Sequence, residues 1–131
     1  MLKVRGEFLC GASMISSRWL VTASHCVLIE GTRQLEKVSD FELVAGLHDR
    51  TKADEPGRVT RKAEAIFWDH SFHWTTGNGD IALIKLSEDL PLNGTAIAPV
   101  CLPEVQEKLN AHIGEAAVIS GWGKNDTSKF L

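Results

Sequence analysis

The sequence predicts an all-β domain, a barrel or a sandwich, on three observations. Short runs rich in Val, Ile, Leu, Phe and Trp recur along the chain. Gly, Asp, Asn, Ser or Pro bound each of them, as expected for strands joined by turns. The 131 residues, 44% of them hydrophobic, fit one domain with a real core.

In chain order the expected strand segments are EFLCGASMIS (7–16), RWLVTA (18–23), FELVAGL (41–47), EAIFW (64–68), DIALIKL (80–86) and EAAVISGW (115–122), mostly hairpin-connected and antiparallel. DIALIKL sets Ile81, Leu83 and Lys85 against Ala82, Ile84 and Leu86, so both faces are largely apolar and a central position is expected. The connections HDRTKADEPGR and WTTGNGD are polar and rich in turn residues, which predicts exposed loops. LPEVQEKLNAHIG reads as a long connection or a helical turn, and there is no internal repeat or low-complexity tract.

Charge and cysteine usage narrow the function. A net charge of -3, a pI near 5.9 and no Lys/Arg cluster longer than a pair argue against nucleic acid and anionic membranes as partners. No apolar run approaches the ~20 residues that span a bilayer, and MLKVRGEFLC lacks the hydrophobic segment of a secretory signal. Cys10, Cys26 and Cys101 sit in no CxxC or Cys/His zinc spacing, so disulfides are expected rather than a metal. Disulfides imply an oxidising compartment. The odd count leaves one cysteine without a partner, and together with the missing signal it predicts a longer native product. Asn93-Gly94-Thr95 and Asn125-Asp126-Thr127 satisfy the N-glycosylation pattern, which matters only on export.

Two residues stand out chemically. His25 ends the β-forming run VTASHC beside Cys26; His48, His70, His73 and His112 have no such company and read as ordinary surface or core histidines. Asp80 opens an apolar segment, where a carboxylate needs a donor such as a histidine N–H, although the preceding Gly-Asn-Gly also suits a simple turn aspartate. Together they would form two parts of a relay in which the carboxylate orients the imidazole and the imidazole takes a proton from a hydroxyl.

CGASMISSRWLVTASHC resembles the CGGSLI…WVLTAAHC segment of trypsin- and chymotrypsin-like serine proteases, DIALIKL resembles their DIALLKL, and VCLP…ISGWG their VCLP…VTGWG. The motifs fall in the family's order from about Phe8 to Gly123. The resemblance implies the N-terminal six-stranded antiparallel β-barrel of a two-barrel fold, with residues 1–131 forming a partial protease domain that lacks the second barrel. It makes His25 the general base, Asp80 its orienting partner and Cys10–Cys26 the adjacent disulfide. A bridge closing a loop of roughly 15 residues is worth about 3 kcal/mol in the chain-entropy model.

Departures from the pattern matter equally. Ser24 replaces the usual alanine of TAAHC, a small change expected to be tolerated. Leu47 stands where calcium-binding members carry glutamate, so the acidic loop from Asp49 to Glu55 is expected to be a solvated turn and not a metal site. No serine lies in the family's G-D-S-G-G nucleophile motif; Ser120, in ISGW, matches a structural segment. By the resemblance Cys101 pairs with a propeptide or light-chain cysteine, the alternative being a buried free thiol. The expected function is serine endopeptidase by family, secreted and without a cofactor, acting on protein or peptide substrates, with protease inhibitors and the second barrel as further partners; this chain alone is expected to be inactive, association-prone and marginally stable. The alternative is a complete, non-catalytic binding module derived from a protease.

Overall fold

The structure, a computed structural model, describes residues 1–52, 54–92, 94, 96–104, 113–126 and 129–130. It divides into two units, Met1–Val100 and Cys101–Leu131.

The first unit is one antiparallel sheet of seven strands: β1 (Leu2–Val4), β2 (Glu7–Cys10), β3 (Ser13–Met14), β4 (Trp19–Thr22), β5 (Phe41–Ala45), β6 (Val59–Trp68) and β7 (Ala82–Leu86). Their order is β2-β1-β5-β6-β7-β4-β3. β2 and β3 occupy opposite ends of that order, yet only Gly11 and Ala12 separate them in sequence. A two-residue link spans about 10 Å at most. The sheet therefore curls until its edges meet, and β2 with β3 acts as one strand bent at Gly11-Ala12. Counted so, the barrel has six strands, the number the resemblance implied, with EFLCGASMIS split at the bend and β1 added to the expected segments.

Local chemistry sets the turns. The hairpin between β1 and β2 turns at Arg5 (φ 53) and Gly6 (φ 85). Positive φ at both central residues suits the right-handed twist of the strands. Arg5 accepts that backbone while its guanidinium pairs with Glu36 and Asp40.

Alternation fills the barrel. In β7, Ala82, Ile84 and Leu86 point inward, each 2% exposed or less, while the strand pairs with β4 on one side and β6 on the other. Leu2, Leu20, Val27 and Phe41 complete the most buried layer of the core. Each such side chain contributes about 1.5–3 kcal/mol by leaving water. The central placement of DIALIKL holds, but only one of its apolar faces is covered. Outside, Ile81 is 52% exposed and Leu83 37%, and Leu83 pairs across to Phe67, 55% exposed, whose ring lies 5.9 Å from that of Trp19. Beside this apolar strip Glu64 receives both Arg18 and Lys85 at 2.8 Å.

In the second unit, β8 (Lys124–Asp126) pairs with β9 (Lys129–Phe130). The expected strand 115–122 is not formed: these residues are irregular, and Val118 and Ile119 are almost wholly exposed. An apolar run becomes a strand only where a neighbour offers a hydrogen-bond ladder. Among the described residues of this unit the only ladder joins β8 and β9. Most of LPEVQEKLNAHIG, 105–112, lies outside the described residues, as does Asn93. Among the described residues, no helix is long and apolar enough to cross a membrane.

Candidate active site

β4 ends at Thr22, and a single 3-10 turn, Ser24–Cys26, follows. Backbone bonds from Cys26 N to Ala23 O (3.2 Å) and from Val27 N to Ser24 O (3.1 Å) wind it tightly. With three residues per turn, neighbouring side chains point in different directions. Ser24 and Cys26 enter the core, whereas the His25 side chain is 51% exposed.

Asp80 stands two residues before the first residue of β7, and both its oxygens are taken by the same residue. The His25 backbone N–H donates to Oδ1 at 2.9 Å, and Nδ1 of the ring lies 2.7 Å from Oδ2. A two-point grip fixes the ring's direction as well as its distance. Burial pushes the Asp80 carboxyl up, but donation from the His25 backbone and then from its ring outweighs this and holds it below the ordinary carboxylate value. Asp80 is thus ionised at neutral pH. An ionised carboxylate only accepts, so Nδ1 carries the proton.

The surroundings are covalently and sterically fixed. Cys10 and Cys26 are bonded (S–S 2.00 Å), joining the bent barrel strand to the turn that carries His25. Cys26 Sγ is 3.4 Å from His25 Nε2. These two sulfurs and the ring form a tight cluster, but sulfurs bonded to each other are not thiolates, the form in which cysteine binds metal. Gly79, at φ +67, precedes Asp80, and a Cβ there would lie 2.5 Å from Ser71 Oγ and 2.9 Å from Phe72 N.

Ser24 is wholly buried, and its hydroxyl faces the carbonyls of Ile81 (2.7 Å) and Gly79 (3.2 Å) on either side of Asp80. The departure from alanine therefore ties the turn of His25 to the backbone of Asp80, a role that its sequence position alone did not reveal.

Residues 1–130 match the Trypsin family model. The chain belongs to the trypsin family of serine proteases. Among curated trypsin-family relatives, clotting factor C of Tachypleus tridentatus is 32% identical over 123 residues, covering 92% of this chain and 12% of that protein. Limulus clotting factor C of Carcinoscorpius rotundicauda is 31% identical with the same coverage. The suppressor of tumorigenicity 14 protein homolog of Bos taurus is 34% identical over 115 residues, 88% of this chain and 13% of the relative. The chain thus spans only about an eighth of the length of these trypsin-family proteins.

Among the other residues singled out, Cys101 is an exposed free thiol, not a buried one. Asn125 lies in β8. The acidic loop from Asp49 to Glu55 is cross-braced: Glu55 accepts the backbone N–H of His48 (2.7 Å) and of Asp49 (2.9 Å), which hold its carboxyl below the ordinary range, while Asp49 accepts from Thr51.

Proposed function

We propose that this chain supplies the base and the orienting carboxylate of a serine endopeptidase, and that the nucleophilic serine and the oxyanion hole come from residues outside these 131. The observation that carries this reading is the grip of Asp80 on His25 through both oxygens. In the reaction, a serine hydroxyl attacks a peptide carbonyl as Nε2 of His25 takes its proton; the proton then passes to the leaving amine. Asp80 keeps Nδ1 protonated, so that Nε2 is the basic nitrogen, and stabilises the imidazolium while it exists. Without nucleophile and oxyanion hole, the two largest contributions to rate are absent from the chain alone.

Substrates are proteins or peptides on this reading, and protease inhibitors are the natural further partners. The disulfide supports an extracellular setting, in which Asn93 and Asn125 are candidate glycosylation sites and the exposed Cys101 bridges a propeptide or another chain. A binding module would need neither member of the pair, so the geometry favours catalysis.

A serine-directed fluorophosphonate tests the proposal. The 131-residue chain should not be labelled, whereas the same chain extended through a second barrel should label stoichiometrically and lose labelling on His25→Ala. Stoichiometric labelling of the short chain would relocate the nucleophile, and an unlabelled extended protein would leave the binding module as the better account.

A further inference from the structure

Two loops meet beside the candidate site. The segment after His25 folds into a small hairpin: Leu28 bridges Leu35, Ile29 N donates to Gln34 O at 2.9 Å, and Glu36 N donates to Val27 O at 2.9 Å. The segment before Asp80 forms a second closed excursion, with Asp69 N on Ile81 O (3.1 Å), His73 N on Asn78 O (3.0 Å) and Gly77 N on His73 O (2.8 Å). One loop begins where the imidazole is mounted, and the other ends where the carboxylate is mounted.

These loops are tied to each other in both directions. From the second loop, the Trp74 indole N–H donates to the Thr32 carbonyl of the first at 2.6 Å. From the first, the Arg33 guanidinium donates to the His70 carbonyl and lies 5.4 Å from the ring centroid of Trp68. Trp74 is anchored in turn, because its ring meets Phe72 edge-on at 5.1 Å and Phe72 is 5% exposed. Donor and acceptor are exchanged, between the adjacent positions 32 and 33 on one side and positions 70 and 74 on the other.

We propose that Trp74 and Arg33 form a reciprocal clasp, and that Trp74 is a positioning residue that holds Asp80 on the His25 ring. Ser24 fixes the near end of the Asp80 loop through Gly79 and Ile81. The clasp fixes its far end. A loop held at both ends cannot swing its carboxylate away from Nδ1, so the Nδ1-protonated tautomer prevails and Nε2 stays basic. The clasp deepens the protease reading and depends on it for its use in catalysis, but not for its effect on the ring.

Long-range proton–nitrogen spectra of the 131-residue chain at neutral pH or above report the tautomer of His25 directly. Trp74→Phe keeps the ring against Phe72 and removes only the N–H donor. We expect the tautomer ratio of His25 to move about fivefold toward the Nε2-protonated form, the equivalent of one ordinary hydrogen bond, with a cooperative melt retained. Arg33→Gln breaks the other arm and should shift the ratio the same way, which keeps the test decisive should Trp74→Phe fail to fold. An unchanged ratio in a folded variant of either kind overturns the clasp. In the extended protein, kcat should fall about fivefold with KM unchanged, since the lost hydrogen bond acts on the base and not on substrate contacts. If the extended wild-type protein does not react with fluorophosphonate, the protease reading fails, and the tautomer ratio still decides the clasp.

Discussion

The loops 46–58 and 69–80 each end near a carboxylate that grips a histidine residue, and they use that grip differently. Glu55 takes the backbone N–H groups of His48 and Asp49, while the His48 side chain is 98% exposed with its Nδ1 4.0 Å from the carboxylate. Asp80 takes one backbone N–H and the ring itself, at 2.7 Å. The first arrangement closes a turn; the second aims an imidazole. Proximity of an acid to a histidine is therefore poor evidence of a relay, and engagement of Nδ1 by an oriented carboxylate is the discriminating feature.

The sharpest way to break this contrast is to neutralise each acid in the extended protein. Asp80→Asn should lower kcat by about 10⁴-fold, because the amide favours the wrong tautomer. Glu55→Gln should leave kcat nearly unchanged while its loop becomes easier to cleave by an added protease. Equal losses in peptide hydrolysis would erase the distinction. Next in size is the bridge that braces only the His25 side: replacing Cys10 and Cys26 together by serine should cost about 3 kcal/mol, read from denaturant unfolding of the chain. A smaller effect is expected of Ser24→Ala, about 1–2 kcal/mol, as the Gly79 and Ile81 carbonyls lose a buried donor.

Acid titration should treat the two sites alike. Both carboxyls are depressed, Asp80 by His25 donors against opposing burial and Glu55 by backbone donors. The folded state then binds fewer protons than the unfolded one, so their stabilisation is complete above the ordinary carboxylate pKa of about 4 and fades below it. Carboxyl carbon shifts followed by NMR should place both midpoints under that value. A midpoint above it for Asp80 alone would mean that burial outweighs the donors.

Much of the fold was legible because β4, β5 and β7 are short apolar runs with their own turn residues. The opening of β6, Val59 to Lys62, was not, since a run reading V-T-R-K carries charge and becomes a strand only by pairing with β5. The reverse error occurred at 115–122, where an apolar run finds no such ladder. For the site, His25 and Asp80 stood out by residue type and context. Ser24 as a tether and the clasp did not, because they depend on contacts between residues 37 to 57 positions apart. A tryptophan within the polar stretch WTTGNGD was the one available clue.

The bent strand at Gly11-Ala12 also bears on the order of assembly. Residues 2–14 supply hydrogen bonds to β5 through β1 and to β4 through β3, so this short segment serves both sides of the seam. The ring cannot close until β5, β6 and β7, all later in sequence, have formed their own ladders. Such distant pairings slow folding. During synthesis β1 can pair with β2 and β3 with β4 at once, whereas the other edge of β4 stays unpaired until β7, ending at Leu86, has emerged.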